Sequence, residues 1–372
     1  MSKTFAASTT LIGTMVGAGY LGIPYVVMKS GFSIGLFQLI FVAIILFITM
    51  LYLGEISLRT RARHQLTGYA QKYLGKNGKR LMFIALAFGI YSAIVAYMIA
   101  GGDSFSYIIF GSTSYSFYLA LAFWLALSLL SWEGLKALEE GESMGVVLAL
   151  VLVILIIVFT VNKIDVNNLT YVNWGNFFVP FGVIIFAFLG FSAIPTVHDI
   201  LGSERKLLKR TILIAHIIPL IVYVLFTFAV LGYKGLLTPQ IATLALGKPF
   251  VLLGIITMFT SYLALSIALI NSFRYDLGFS KIKSWLLTIL VPLILFIIMK
   301  AINIASFVTV LSVGGTVSGG LSAILILLMV KKAKRLGDRK PEYSVPYSRV
   351  LTWFLSLIFL VAVALEIISL FK

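Results

Sequence analysis

Long apolar segments recur along this chain of 372 residues, each separated from the next by a short polar stretch. A helix needs roughly 20 apolar residues to cross the hydrocarbon core of a bilayer. Hydrophobic residues make up 60% of the chain and charged residues only 11%, whereas ordinary globular domains carry about 25% charged residues. The mean hydropathy is +1.07. This pattern predicts an all-α membrane protein that crosses the bilayer many times.

Eleven of the apolar segments are long enough to be transmembrane helices. They cover residues 5–28, 33–57, 81–110, 115–131, 143–162, 177–201, 209–232, 250–273, 284–299, 304–330 and 350–370. The sequence therefore predicts eleven transmembrane helices joined by mostly short loops. The chain has no cysteine, which excludes disulfides, thiolate metal sites and thiol catalysis.

Basic residues are divided unevenly among the loops that this layout creates. If the N-terminus is cytoplasmic, 23 of the 29 lysines and arginines fall on the cytoplasmic side. The other six are Lys29, Lys163, Lys234, Lys248, Lys300 and Lys372. Because cytoplasmic loops carry the excess of Lys and Arg, we expect a cell-membrane protein with a cytoplasmic N-terminus and an extracytoplasmic C-terminus. Since the net charge of +16 lies in membrane-flanking loops, we expect no nucleic acid partner.

The first apolar segment contains three glycines and a proline within residues 17–24, which read GAGYLGIP. The spacing matches G-x-G-x-x-G, but the nucleotide-binding form of that motif needs a preceding strand and an acidic residue about 20 positions later. Here residues 5–16 are typical of an apolar helix, and the first acidic residue afterwards is Glu55. We therefore interpret the run as a helix broken at mid-bilayer, a place where transporters bind ligands.

The sixth apolar segment contains a second run of this kind at residues 186–195, which read FAFLGFSAIP. The two breaks occupy matching positions if spans 1–5 and 6–10 are repeats. Because five is odd, such repeats cross the membrane in opposite directions, and paired interruptions in inverted halves point to a secondary-transporter site. The predicted organisation is a first repeat, a second and inverted repeat, and a basic inner loop with an eleventh helix: residues 1–162, 163–330 and 331–372.

A broken helix offers binding groups of both polarities without any ionised side chain. Unwinding frees backbone N–H and C=O groups that lipid cannot satisfy, so the break must face protein, water or ligand. The N-terminal ends of the second half-helices carry partial positive charge and suit a carboxylate. The C-terminal ends of the first half-helices present carbonyl groups and suit a small cation. Close packing of small residues is the alternative explanation for the glycines.

Both runs resemble signatures of a known family. The amino acid/auxin permease family opens with a G-x-G-I-L-G-L-P-Y signature, which is similar to GAGYLGIPY at residues 17–25. Its sixth span carries an F-x-F-x-G…P pattern, which residues 186–195 resemble. The resemblance implies the wider amino acid–polyamine–organocation superfamily and its LeuT fold, a five-plus-five inverted repeat with helices 1 and 6 broken, here followed by one extra C-terminal helix.

The resemblance also implies a set of substrate-binding positions in this sequence. The carboxylate of an amino acid would meet the backbone of the first break, and its amino group would meet carbonyl groups of the sixth span. Aromatic side chains of the sixth span would enclose its side chain, with Tyr91 or Tyr97 of the third span. The implied substrate site consists of Gly17, Ala18, Gly19, Tyr20, Tyr91, Phe186, Phe188, Leu189, Phe191 and Ser192.

Hydroxyl groups in span 8 resemble the sodium ligands of the LeuT fold. Thr257, Thr260 and Ser261 share one helix face and could complete an oxygen shell for a hard cation. The partners in the first span would be backbone carbonyls near Ile12 and Met15. Against this, Ser and Thr in membrane helices often bond to carbonyl groups of their own helix. The coupling ion therefore stays open between Na⁺ and H⁺, and no other cofactor is expected.

Four ionisable residues within the spans are candidates for gating or proton transfer, because such residues are rare at that depth and usually functional. They are Asp103, His198, Asp199 and His216. Asp103 lies toward the outer end of span 3 and suits an outer vestibule or gate. The competing interpretation for His216 is a lone histidine bonded to a helix carbonyl, and that for His198 and Asp199 is a solvated helix end near the inner surface. Glu55 and Glu366 lie near span ends, where we expect them to reach interfacial water.

These features predict a secondary transporter that imports a neutral amino acid, with the aromatic sixth break favouring a hydrophobic or aromatic one. The lipid bilayer and a coupling Na⁺ or H⁺ are its expected partners; a monomer is compatible with the sequence, which leaves the oligomeric state open. A channel is one alternative, although no filter of carbonyl or charged rings is visible. A transporter-fold sensor that binds without flux is another. No catalytic residue is predicted, because no acid–base pair, triad or metal cluster occurs in the spans.

Overall fold

The structure is a computed structural model that describes residues 3–133, 141–304 and 306–369, and these residues form fourteen α-helices and no β-strand. The first seven helices are α1 (Lys3–Met15), α2 (Ile23–Ser30), α3 (Phe32–Arg59), α4 (Leu66–Phe110), α5 (Ser116–Glu133), α6 (Gly141–Thr160) and α7 (Val179–Ala187). The other seven are α8 (Ile194–Leu201), α9 (Leu208–Lys234), α10 (Lys248–Asn271), α11 (Lys281–Ala301), α12 (Phe307–Gly314), α13 (Gly320–Leu336) and α14 (Arg349–Ser369).

Seven helical stretches in the described part of the chain are long and apolar enough to cross a membrane, or eight if α1 and α2 count as one bent span. A multi-pass, all-α membrane protein is therefore confirmed. Two predicted spans, 115–131 and 143–162, fall on shorter apolar helices, and two others lie together in the continuous stretch Val179–Leu237. The count of eleven thus stays a prediction. Residue 370 of the last predicted span and Lys372 lie outside the described residues.

Both predicted helix breaks are present. After α1 ends at Met15, a 3-10 turn over Ala18–Gly22 leads into α2, and the two halves are bent by 42°. After α7 ends, a 3-10 turn over Phe191–Ala193 leads into α8. Pro24 and Pro195 stand in the first turn of the restarting halves. Proline suits that position, because its missing N–H has no partner there in any case and its φ is already helical.

The two broken helices lie side by side in opposite directions. The half before the first break, α1, packs against the half after the second, α8, while α2 packs against α7. The long helix α9 contacts both α1 and α2, and α10 contacts the 3-10 turn of the first break. Since the residues of that turn are all buried, the breaks meet in the interior of the helix bundle.

A π-helical turn over Gly315–Gly319 separates α12 from α13 and packs against α7. A Cβ atom built on Gly315 would lie 2.2 Å from the carbonyl oxygen of Gly182 in α7. Only glycine permits this backbone-to-backbone contact. Glu366 of α14 accepts a hydrogen bond from the Ser312 hydroxyl at the end of α12 (2.8 Å). Interruptions of this π-helical type occur frequently at functional sites.

Ion pairs connect separate segments at one end of the bundle, which we call the N-terminal face because it holds the start of α1. Lys3 pairs with Glu204 at 3.9 Å, and Arg63 Nε lies 3.3 Å from Asp199 Oδ1. Lys72 and Asp338 form a third pair. The Lys72 ammonium, with the backbone N–H of Arg61, holds the pKa of Asp338 below its usual range.

The carboxylate of Glu55 at this face is fully buried, so the expectation that it reaches interfacial water is wrong. It accepts hydrogen bonds from Lys334 Nζ (2.7 Å), Arg59 Nε (2.8 Å) and the backbone N–H of Val345 (2.8 Å). These donors satisfy the charge, which would otherwise be costly to bury. Glu55 thereby joins the end of α3 to α13 and to the segment that follows α13.

We expect the substitution Glu55→Gln to lower the free energy of unfolding by about 2–3 kcal/mol. Removing one partner of a fully buried ion pair costs ~3–5 kcal/mol, and the lower value applies because Arg59 and Lys334 are 17% and 19% exposed. Thermal unfolding of the purified protein measures the change. The matched control Glu204→Gln breaks a pair whose side chains are 46–47% exposed, so its melting temperature should equal that of the wild type. Equal melting temperatures for the two variants would contradict this role of Glu55.

Candidate functional site

The first break touches the second at Gly19. A Cβ atom built on Gly19 would lie 2.7 Å from Cδ1 and 3.0 Å from Cε1 of the Phe186 ring, and 3.8 Å from Cα of Ala187. The Phe186 ring therefore lies directly on the glycine backbone. Phe186 itself is only partly buried, whereas Gly19 is fully enclosed. Two residues predicted at the substrate site from separate halves of the sequence are thus brought together.

Helices α4 and α10 supply hydroxyl groups to the same place. A Cβ atom built on Gly17 would lie 3.2 Å from Ser261 Oγ and 3.3 Å from Tyr97 Oη. The Tyr97 hydroxyl also interacts with Ser261 and with the backbone N–H of Ala18. Backbone N–H, phenol and serine hydroxyl groups are the donors that a carboxylate requires. This cluster of Gly17, Ala18, Tyr97 and Ser261 will be called the polar cluster.

A tyrosine of α9 links the carbonyl ends of both broken helices, and the sequence analysis missed it. The hydroxyl oxygen of Tyr223 lies 2.9 Å from the carbonyl oxygen of Met15 and 2.9 Å from that of Ala187. These are the last residues of α1 and α7, where helix carbonyls lack a partner within the helix. One hydroxyl proton serves two carbonyls, so Tyr223 fixes their separation and leaves lone pairs available. A lone tyrosine in an apolar span gave no signal for this contact.

Three residues predicted to contact the substrate also pack against neighbouring helices. The Tyr20 ring stacks on Tyr223 of α9 at 6.1 Å, and the Phe188 ring meets the same tyrosine edge-on at 5.0 Å. Tyr91 packs against α11. Its hydroxyl donates to the Leu287 carbonyl of α11 (3.0 Å), and its ring belongs to a separate apolar cluster with Phe273. Tyr97 faces the break in its place.

The remaining sixth-span residues border the break on its other sides. Phe191 is buried, while Leu189 is partly exposed and reaches Gly319 of the π-helical turn. Ser192 is exposed and begins a polar face on α8 that continues through Thr196 to Asp199, all three exposed. Because residues four and seven apart share one helix face, this polar face runs from the break to the ion pair with Arg63.

Two of the three hydroxyl groups predicted to bind sodium make hydrogen bonds within their own helix, and the third, that of Ser261, interacts with Tyr97. Thr257 Oγ1 donates to the Gly254 carbonyl (2.8 Å), and Thr260 Oγ1 donates to the Thr257 carbonyl (3.0 Å). On the first span, the Ile12 carbonyl accepts from the Val16 N–H (2.7 Å), and the Met15 carbonyl accepts from Tyr223. Each oxygen keeps a lone pair. A sodium ion at these positions stays a prediction.

The candidate proton-binding residues lie in three separate parts of the helix bundle. His216 is buried on α9, with Nδ1 2.9 Å from the Ile212 carbonyl and its ring stacked near Phe188 at 6.4 Å. This is the helix-carbonyl geometry considered for a lone histidine. His198 is buried on α8, close to the Asp199–Arg63 pair at the N-terminal face. Asp103 lines a cavity at the opposite end of the bundle.

This geometry provides ligands for both ends of an amino acid. The polar cluster supplies donors to a carboxylate, and the carbonyl groups at the end of α7 supply acceptors to an ammonium group. In addition, no cluster of three or more potential metal-binding side chains occurs in the part of the chain that the structure describes. Backbone, hydroxyl and aromatic groups line the contact between the two breaks.

Comparison with known protein families identifies the class of protein to which this chain belongs. A profile of the tryptophan/tyrosine permease family matches residues 1–369. The chain belongs to the tryptophan/tyrosine permease family. Membership in a permease family confirms the predicted class, a multi-pass transport protein and not an enzyme. The assignment to the wider superfamily and to the LeuT fold stays a prediction.

Three curated relatives of this permease share a quarter or less of their residues with it. Glutamine transporter 2 of Aliivibrio fischeri is 22% identical over 348 residues, which cover 88% of each chain. Tyrosine-specific transport system 1 of Haemophilus influenzae is 24% identical over 374 residues, 92% of this chain and 91% of the relative. Tyrosine-specific transport system 2 of the same organism is 25% identical over 237 residues, 62% and 58% of the two chains.

Proposed function

We propose that this permease is a secondary active transporter that imports a neutral amino acid, aromatic or otherwise hydrophobic, and couples import to Na⁺ or H⁺. The observation that carries the proposal is the meeting of the two helix breaks at Gly19 and Phe186, with the polar cluster on one side and Tyr223 on the other. The tyrosine and glutamine transport named for its relatives supports an amino acid substrate.

We further propose that the fold is the LeuT-type inverted repeat with eleven transmembrane helices and a cytoplasmic N-terminus. The packing of α1 against α8 and of α2 against α7 supports the inverted repeat. Two broken helices that are related by inversion must run antiparallel, and these contacts are those of an antiparallel pair. The N-terminal face also carries Arg59, Arg63, Lys72 and Lys334, in keeping with the positive-inside rule.

Alternating access would then move one group of helices against the other around the fixed breaks. The exposed polar face of α8, from Ser192 through Thr196 to Asp199, offers a wetted path from the site to the N-terminal face. The Arg63–Asp199 pair closes the end of that path at 3.3 Å. Because both side chains are largely exposed, with 79% and 44% of their surface accessible, the pair is weak enough to open and close readily.

Uptake of radiolabelled L-tyrosine and L-glutamine into proteoliposomes tests the proposal. We expect L-tyrosine to accumulate above its external concentration when an inward Na⁺ or H⁺ gradient is imposed, and the productive gradient identifies the coupling ion. Accumulation of L-glutamine alone would keep the transport function and overturn the preference for a hydrophobic substrate. Collapse of that gradient with an ionophore should abolish accumulation. Binding without flux would instead identify a sensor, and substrate-independent conductance would identify a channel. Either outcome overturns the proposal.

Substitution of two tyrosines in α4 tests which of them contacts the substrate. The structure favours Tyr97, whereas the family resemblance placed Tyr91 in the site. We expect Tyr97→Phe to raise KM for transport at least fivefold, because it removes a hydroxyl from the polar cluster. Hydrogen bonds to charged groups are worth ~1.5–3 kcal/mol, which corresponds to a tenfold change or more. Tyr91→Phe should transport with the wild-type KM, since its hydroxyl bonds to Leu287. The reverse order of effects would place the substrate beside Tyr91.

A further inference from the structure

A cavity lies at the end of the bundle opposite the N-terminal face. It has a volume of about 250 Å³ and is bounded by the last turns of α4 and α11, the segment between α9 and α10, and the start of α12. A cavity of ~150 Å³ is large enough to bind benzene. Asp103, Gln240, Lys300 and Leu244 line this cavity and are all partly exposed, so it opens to solvent.

Two opposite charges face each other across this cavity. Asp103 lies on α4 and Lys300 on α11, and Lys300 acts electrostatically on the Asp103 carboxylate. Both residues are in the described part of the chain, where no ion pair within 4.0 Å joins them. The gap leaves room for a ligand that carries both charges. A zwitterionic amino acid would place its carboxylate against Lys300 and its ammonium group against Asp103.

The rest of the lining suits the same ligand. The Gln240 carbonyl oxygen accepts hydrogen bonds from the Ser306 hydroxyl (2.8 Å) and the Val308 N–H (3.4 Å). Because a backbone N–H can only donate, this contact identifies the oxygen of the Gln240 amide and leaves its NH₂ group to donate to a carboxylate. Ile99 and Phe307 are buried in the wall and provide apolar surface for a side chain.

The cavity adjoins the central site. Phe307 packs on Gly22 of the first break, where a built Cβ would lie 3.4 Å from its ring. The turn Ala242–Ala245, which includes Leu244 of the cavity wall, contacts the 3-10 turn Ala18–Gly22. Ile99 follows Tyr97 of the polar cluster by two residues. A molecule in the cavity is thus separated from the break by about one layer of side chains.

We propose that this cavity is a second binding site for a zwitterionic amino acid, occupied before the central site during uptake, with Asp103 and Lys300 selecting for the zwitterion. The proposal rests on the proposed transport function and deepens it. A lone carboxylate or a lone amine finds only one of its two counter-charges here. Both charged groups are therefore needed for selection. Asp103 also forms a hydrogen bond with Ser116 at the start of α5.

Equilibrium binding of radiolabelled L-tyrosine to the purified full-length protein tests this second site. We expect two molecules bound per chain in the wild type and one in Lys300→Gln and in Asp103→Asn. In proteoliposomes both variants should show a KM at least fivefold higher with a smaller change in kcat. Tyramine and 3-(4-hydroxyphenyl)propionate, which each lack one charge, should compete at least tenfold more weakly than L-tyrosine.

The matched control is Lys248→Gln, which removes an exposed lysine at the start of α10. It should keep two bound molecules and the wild-type KM. One bound molecule in the wild type, with an unchanged KM in both cavity variants, would overturn the second site while leaving the transport function in place. No binding and no uptake of any tested amino acid by the wild type would instead overturn the proposed function, and the second site with it. Unchanged melting temperatures establish that the variants fold.

Discussion

Gly19→Ala should reduce the initial rate of amino acid uptake at least tenfold, although it adds a single methyl group. The new Cβ would lie 2.7 Å from Cδ1 of Phe186, well inside the ~3.5–4.0 Å at which carbon atoms pack. The clashing atoms, Cδ1 and Cε1, belong to the rigid ring of Phe186. A small rotation of the kind that moves the end of a long flexible side chain cannot relieve this clash. Either the ring or the backbone of the break must move, and both belong to the proposed substrate site.

Gly22→Ala is the matched control, since it makes the same change three residues later in the same 3-10 turn. A Cβ on Gly22 would meet Phe307, Leu311 and Val308 at 3.4–3.5 Å, which is ordinary packing distance. We expect uptake within twofold of the wild type. Measured initial rates per folded protein, with folding checked by thermal unfolding, decide the comparison. Equal loss in both variants would mean that neither glycine of the turn tolerates an added methyl group, and that the contact with Phe186 does not explain the effect of Gly19→Ala.

Tyr223→Phe should also cost at least tenfold in uptake, with a measurable loss of stability. The hydroxyl is the donor that Met15 and Ala187 share at 2.9 Å, and Tyr223 is fully buried. An unsatisfied buried polar group costs ~1–3 kcal/mol, and each 1.4 kcal/mol lost from the substrate-bound geometry is tenfold in affinity. Uptake kinetics and the melting temperature measure the two effects.

Tyr233→Phe makes the same change ten residues later on α9. The Tyr233 ring interacts with the ammonium groups of Lys163 and Lys234, and phenylalanine preserves such contacts because they use the face of the ring. This variant should match the wild type in uptake and in melting temperature. If Tyr223→Phe behaves in the same way, the hydroxyl does not hold the two breaks together.

The positions of both helix breaks could be predicted from the sequence because they depend on local chemistry. Glycine weakens a helix and proline restarts one, so residues 17–24 and 186–195 mark the interruptions without reference to the rest of the chain. The family resemblance placed Gly19 and Phe186 at one substrate site, but their direct contact became visible only in the structure.

Side-chain directions could not be predicted in the same way. Tyr91 and Tyr97 lie on one apolar helix, and which of them faces the break depends on how α4 rotates against α10 and α11. Tyr20 and Phe188 both pack against the ring of Tyr223 on α9. Tyr223 itself has no neighbouring motif, and its two carbonyl partners are far away in sequence. Contacts of this kind depend on tertiary packing, which local patterns do not specify.

The partners of buried charged residues also could not be predicted from the sequence. Glu55 was expected at interfacial water because it lies near the end of a span, yet Lys334 and Val345, far along the chain, supply its donors. The charged residues that line the cavity opposite the N-terminal face likewise come from α4 and α11, nearly 200 residues apart. Proximity of such residues follows only from the assembled bundle.

The most direct test of a substrate site between the two breaks is a cryo-electron microscopy structure of the wild-type protein in lipid nanodiscs with saturating L-tyrosine. We predict density for the amino acid between Gly17–Gly19 and Phe186–Gly190, with its carboxylate at Tyr97 and Ser261. The same map from Gly19→Ala should lack that density. Density for the amino acid elsewhere in the bundle, with the space between the breaks occupied by the Phe186 ring alone, would contradict the proposed site.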